Sequence, residues 1–242
     1  MDKIFVSTFN MSLYKSYAHR LISTYTATHQ TTPMIVYVED DVKKYPKHHL
    51  IEFRNLFEKE PLVKQFVERN NQRPFDAYYK DACRFSYKVF AQKAASIDEK
   101  GKRLFYVDAD CVFQKRMPDQ WFDAVLGDKF VAFYDRPNQY TETGFIAFDT
   151  RKECTQQFFD KYVEWYIKDT VYDLPAYTDC HTFDATRTYM GTFKNDYSEQ
   201  KLGDGKNAHI MARHALMNEY IDHRKGNRKE QNNSPEWISQ RM

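Results

Sequence analysis

The chain has 242 residues, the length of one large domain or two small ones. Its 42% hydrophobic and 17% aromatic content supplies a substantial core and excludes disorder as the main state. Lys and Arg total 36 against 34 Asp and Glu, a net of +2, which excludes a bulk nucleic-acid coat protein and an acidic tail protein.

In chain order, Ile4–Phe9 (IFVSTF) is short, apolar and rich in β-formers, and reads as a buried strand. Residues 11–29 place Leu13, Tyr17, Leu21, Ile22 and Tyr25 at helical spacing. Met34–Val38 is a second buried strand, ending in Glu39-Asp40-Asp41. Strand, helix, strand predicts a βαβ unit and a parallel sheet. Residues 42–74 are charged and broken by Pro46, Pro61 and Pro74, so short helices over the sheet are expected there. Residues 79–99 read as a helix. Leu104–Val107 is the third strong strand and runs into Asp108-Ala109-Asp110. Phe130–Tyr134 and Gly144–Phe148 follow as strands, and 152–168 as an aromatic amphipathic helix. The stretch 170–210 reads as loop-rich, 209–222 as helical, and the rest as a basic stretch and polar tail. The expectation is a single α/β domain spanning 1–242, with a mostly parallel central sheet flanked by helices and a C-terminal extension from about 209.

Glycine usage is informative. There are seven glycines and the first is Gly101, so the first hundred residues hold neither a G-x-G-x-x-G turn nor a P-loop. An N-terminal dinucleotide-binding unit and a Walker NTPase are excluded. The four cysteines form no C-x-x-C pair, which argues against a zinc ribbon and suits a reducing compartment. No window approaches about 18 apolar residues, so no membrane span is expected. The opening lacks a signal-peptide apolar region. A soluble cytoplasmic protein is expected, in a host's cytoplasm if phage-encoded. Residues 200–242 hold eight basic and five acidic residues, so a local basic site is expected near the C-terminus.

Asp108 and Asp110 end a buried strand, where extended backbone points positions i and i+2 to one side. Two carboxylates there repel unless a cation bridges them, and their hard oxygens suit Mg²⁺ or Mn²⁺. The carboxyl end of a parallel strand is also where α/β folds place ligands. Arg84 and Lys88 are four apart, share a helix face, and can meet a diphosphate in place of a glycine loop. The bland alternatives are a solvated acidic turn and a solvated basic stripe.

LFYVDADCVFQK resembles the strand and D-x-D motif of GT-A glycosyltransferases. In that family the D-x-D carboxylates, here Asp108 and Asp110, hold a divalent ion against the diphosphate of a nucleotide-sugar donor. KDACRFSYKVFAQKAA is similar to the GT-A helix whose basic residues, here Arg84 and Lys88, reach toward the nucleotide. His223-x-x-Gly226-x-x-Lys229 resembles the C-terminal element of family-8, glycogenin-like enzymes. The resemblance implies that His223 completes the metal site, Gly226 permits close approach to the phosphates, and Lys229 pairs with them. Glu230 follows where those relatives carry Pro-Trp. The segment Thr141–Gly144 resembles the part that presents Glu142 and Gly144 to donor sugar or acceptor. AYTDCHTFDA is similar to the segment of retaining enzymes that carries a carboxylate near the anomeric carbon, here Asp179, with Cys180 where a Gln often follows. His181 and Asp184 are weaker candidates. Thr8, Phe9 and Asn10 are implied to lie beside the nucleobase. The resemblance covers about residues 3–229 and implies a UDP-sugar donor, Mn²⁺ or Mg²⁺, and a retaining transfer.

The acceptor stays open. A saccharide or similar hydroxyl acceptor is one reading. A phage-type enzyme modifying hydroxymethylated DNA bases is another, and it would need base flipping or major-groove access. A catalytically silent GT-A-like binding protein and a metal-dependent phosphoesterase are the remaining alternatives.

Overall fold

The computed structural model describes residues 2–136, 139–193, 195–203, 211 and 214–231. Strand β1 is Lys3–Phe9, β2 Met34–Val38, β3 Ile51–Asn55, β4 Arg103–Val107, β5 Cys111–Phe113, β6 Val131–Tyr134, β7 Glu142–Asp149, β8 Glu199–Lys201 and β9 Ile221–His223. Seven of these form one sheet in the order β3-β2-β1-β4-β7-β6-β8. β3, β2, β1 and β4 run parallel to one another, as do β6 and β8, while β7 is antiparallel to both β4 and β6. β5 and β9 form a separate two-stranded antiparallel sheet. This is the mixed α/β architecture expected, with a mostly parallel sheet.

Alternation along the central strands splits the core into two layers. Phe5 and Phe9 of β1, with Phe105 and Val107 of β4, face one side. Ile4 and Val6, with Leu104 and Tyr106, face the other. Helix α1 (Met11–Leu13) leads through a π-turn (Tyr14–Ala18) into α2 (His19–Ala27). Leu21, Ile22 and Tyr25 of α2 pack on the first side with Trp121 and Phe122 of a later helix, Asp119–Leu126. The second side is covered by Pro61–Asn70, Ala82–Asp98, Thr155–Ile167 and Asp179–Met190. Asp81 caps the N-terminus of Ala82–Asp98 by accepting from the Arg84 N–H at 3.2 Å.

Three expectations are corrected. Residues 42–74 contain strand β3 as well as helices. Its sequence IEFRN alternates at a sheet edge and buries only Ile51 fully, so no apolar run announces it. The stretch 170–210 contains a full helix, Asp179–Met190, whose buried face includes His181, Thr182 and Thr186 rather than an aliphatic stripe. The helix expected over 209–222 falls partly outside the described residues. Within them, 215–220 make turns and Ile221–His223 is strand β9, drawn into extended form by pairing with β5. Among the described residues, no helix is long and apolar enough to cross a membrane.

Candidate functional site

The site is built at the carboxyl ends of β1, β2 and β4. The Asp108 N–H donates to the Gly144 carbonyl at 2.9 Å, adding one rung to the β4–β7 ladder. The chain then turns, and the Cys111 N–H closes onto the Asp108 carbonyl at 3.0 Å. Asp108 and Asp110 therefore converge through a turn, not through extended i, i+2 geometry. β5 starts immediately afterwards and places Cys111 opposite His223 of β9. The Arg224 N–H donates to the Asp110 carbonyl at 3.1 Å. Backbone pairing thus joins two motifs more than a hundred residues apart.

His223 Nε2 lies 3.0 Å from Asp110 Oδ1 and 3.6 Å from Asp108 Oδ2. Asp110 Oδ1 and His223 Nε2 are both buried, yet neither has a hydrogen bond of sound geometry. Buried polar atoms are rarely left so without a reason. Two carboxylates and an imidazole this close together fit a divalent cation of the Mn²⁺ or Mg²⁺ kind. The Cys111 sulfur, Asp110 and His223 also lie within 4.8 Å of one another. Burial opposes ionisation of Asp110, but His223 and Lys229 outweigh it and hold that carboxyl well below its usual range. Asp108 is pushed up by burial and by Asp110, against Lys88. Burial opposes protonation of His223, but Asp110 and Glu142 hold its pKa above the usual value.

Around this cluster the charges are tightly paired. Lys229 Nζ sits 2.9 Å from Asp110 Oδ2. Lys88, buried in helix Ala82–Asp98, places its ammonium 2.8 Å from Asp108 Oδ1 and 2.8 Å from Asp179 Oδ2. Burial acts against its charge, yet these two carboxylates raise its pKa well above normal. Lys88 thus joins two acids of the site; it is not an uncommitted cation like its helix neighbour Arg84, which lies exposed on the rim. Asp179 begins its helix, buried, and also accepts from the Thr143 hydroxyl. Glu142 pairs with Lys225 and lies 3.6 Å from Arg136. Burial would raise its pKa, but Lys225, His223 and Arg136 bring it down to about 2.

The two glycines do different work. A Cβ on Gly144 would lie 2.2 Å from Cε1 and 2.6 Å from Nδ1 of His223. The imidazole occupies the space that glycine leaves open. Gly226 has φ +57°, a left-handed conformation that favours glycine, and among the described residues no atom limits a side chain there.

One cleft of about 570 Å³ is lined by Thr8, Arg84, Lys88, Asp108, Asp110, Glu142, Asp179, His223, Gly226 and Lys229, so ten of the expected residues share it. Gly144 does not line it but supports His223 from behind. Asn10 lines an adjoining cleft, where Nδ2 donates to Glu39 Oε2 at 3.0 Å and Oδ1 accepts from the Leu13 N–H. Of the weaker candidates, Asp184 accepts from the Thr141 N–H at 3.0 Å and pairs with Arg187 at 2.8 Å, a structural role. His181 Nδ1 lies 2.7 Å from the Thr178 hydroxyl. Sequence reasoning missed Lys225, Tyr17 and Glu39, which also line the main cleft. Lys225 had a signal, since it lies inside the His223–Lys229 element. Glu39 had one too, at the carboxyl end of a buried strand.

No family model matches the chain, and no curated protein matches its sequence. Solved structures do match. Mouse xyloside xylosyltransferase 1, in its apo form, aligns with TM-score 0.51 at 10% identity, over 84% of this chain and 86% of that one. An active-site mutant of LgtC aligns with TM-score 0.50 at 13% identity, over 81% of this chain and 72% of that one. WbbM, a bifunctional glycosyltransferase, aligns with TM-score 0.50 at 12% identity, over 97% of this chain and 50% of that one. The chain has the GT-A fold shared by these glycosyltransferases.

Two outcomes are expected. Gly144→Ala should lower unfolding stability by about 1–3 kcal/mol through overpacking against the imidazole. In a His223→Ala background the same change should cost less than about 1 kcal/mol, a coupling read by urea denaturation. Equal costs would show that the ring does not claim that space. Separately, burial raises the Glu39 carboxyl to about 7, with Asp40 adding and Asn10 opposing. A carboxyl raised on folding favours the native state below its unfolded value near 4.5, and that contribution is lost as pH rises through about 7. Glu39→Gln should therefore stabilise the protein by roughly 1–3 kcal/mol at pH 8 and by little at pH 4. A pH-independent effect in thermal melts would reject the assignment.

Proposed function

We propose that the protein is a metal-dependent glycosyltransferase that moves a sugar from a nucleotide-sugar donor to a saccharide hydroxyl. The observation that carries this reading is the buried meeting of Asp110, His223 and Asp108, with neither Asp110 Oδ1 nor His223 Nε2 in a hydrogen bond of sound geometry, in a cleft rimmed by Lys225 and Lys229. The shared GT-A fold supports it.

Asp108, Asp110 and His223 would hold the divalent ion, Mn²⁺ or Mg²⁺. When bound, that ion neutralises charge on the departing nucleoside diphosphate. Lys229 and Lys225 place two ammonium groups on the same side of the cleft, and Arg84 adds a guanidinium at its rim. Thr8, Tyr17 and Glu39 line the end assigned to the nucleoside, with Asn10 fixed beside Glu39. Positive charge develops at the anomeric carbon during glycosyl transfer. Asp179 is the carboxylate assigned to stabilise it, oriented by Lys88 and Thr143. Glu142, kept ionised by Lys225, is the second acid at that centre. We assign a retaining outcome, with the acceptor hydroxyl attacking on the face the diphosphate leaves and its proton passing to the leaving phosphate oxygen.

A thermal-shift panel of UDP-, GDP- and CMP-sugars, with and without Mn²⁺, tests this directly. A donor at about a hundred times its Kd should add about 2.7 kcal/mol, and only with Mn²⁺. Asp108→Asn with Asp110→Asn should remove that gain and the release of nucleoside diphosphate. Absence of any metal-dependent shift would overturn the reading. Donor binding without turnover on any acceptor would instead mark a silent binding protein. Turnover confined to hydroxymethylated DNA would replace the saccharide acceptor.

A further inference from the structure

A second cleft, of about 450 Å³, adjoins the first and shares Arg84, Glu39 and Tyr87 with it. That volume suits a mono- or disaccharide. Its walls come from the end of helix Pro61–Asn70, the segment 73–84 and Tyr172 and Tyr177. Two guanidiniums reach it, and neither has a carboxylate within ion-pair distance among the described residues. The guanidinium carbon of Arg73 lies 3.7 Å from the Tyr172 ring centroid, and that of Arg84 lies 5.2 Å from the Tyr78 centroid. Lys80 stands 4.3 Å over Tyr177 and donates to the Pro175 carbonyl at 3.1 Å. A ring beneath it helps hold the planar fork of Arg73, and that fork matches phosphate and carboxylate oxygens.

The same segment exposes large rings. Phe75 is 55% and Tyr78 62% accessible, one lining each cleft. Aromatic faces left in water mark a surface that binds something. The two acids of the second cleft are already engaged: Asp81 caps its helix and Glu39 accepts from Asn10.

The geometry points to an acceptor subsite for a saccharide carrying a phosphate or carboxylate, with the anion on Arg73 and Lys80, a sugar face on Phe75, and the reacting hydroxyl directed past Arg84 toward Asp179. This rests on the glycosyltransferase reading and names its acceptor class. A polynucleotide fits less well. Asp76 and Asp81 interrupt the basic residues of 73–84, where a polynucleotide needs an extended cationic track.

Ligand-observed NMR on the metal-free protein separates the outcomes, using glucose 1-phosphate, glucuronate, glucose, a single-stranded oligonucleotide, and vesicles with or without polyprenyl phosphate. At least one anionic saccharide should bind about tenfold or more tightly than glucose, and excess UDP should leave that binding in place. Arg73→Gln should weaken it about tenfold, and Arg73→Lys less. Binding restricted to the phosphate-bearing vesicles assigns a lipid-linked source; binding of the free sugar phosphate assigns a soluble one. Equal binding of glucose, displacement by UDP with no effect of Arg73→Gln, or binding of the oligonucleotide alone would each overturn the proposal. Because no donor is present, failure here leaves the donor-binding test to stand or fall by itself.

Discussion

Four buried or half-buried carboxylates, Asp108, Asp110, Glu142 and Asp179, crowd one cleft, and their mutual repulsion has to be balanced. Lys88 balances two of them at once, Lys225 takes Glu142, and Lys229 takes Asp110. The remaining need is met where His223 faces Asp110 and Asp108. Removing one partner of a buried ion pair costs about 3–5 kcal/mol, because the other charge stays behind. Such a cluster is a poor way to gain stability, since apolar residues of equal volume serve as well. Such a concentration of paired charge in one cleft is better suited to chemistry than to stability.

The framework brings this cluster together from several elements. β4, the central strand, carries Asp108 to the carboxyl end of the sheet, and β7 lies beside it so that Gly144 can accept the Asp108 N–H and clear space for the imidazole. β9 returns from the C-terminal region to pair with β5, bringing His223 over that space. The helix bearing Lys88 is fixed by its buried face against the sheet, so its ammonium cannot withdraw from Asp108 and Asp179. Each element is ordinary, and the site exists only where they meet.

Much of this was readable from residue order. Apolar runs announced β1, β2, β4 and β7, and with them the α/β class. Asp108 and Asp110 were legible because acids directly after a buried strand need a reason. His223, Gly226 and Lys229 were legible by resemblance alone. What escaped depended on contacts across the chain. Strand β3 hides in a charged edge sequence, and helix Asp179–Met190 buries polar side chains. The pairing of Lys225 with Glu142 spans 83 positions, and the contact between Gly144 and His223 is a matter of van der Waals volume. No local pattern encodes either. Lys88 shows the same limit: helical spacing correctly gave it the face of Arg84, but its two carboxylate partners appear only once the sheet and the helix Asp179–Met190 are in place.

The central claim is that Asp108, Asp110 and His223 form one cation site. The most direct test is a Mn²⁺ titration followed by electron paramagnetic resonance of the free ion, in the presence of UDP, on the native protein and on His223→Ala. The account predicts a single saturable ion in the native protein and at least about tenfold weaker binding, about 1.4 kcal/mol, in the variant. Superimposable titration curves, or no saturable ion in the native protein, would contradict it.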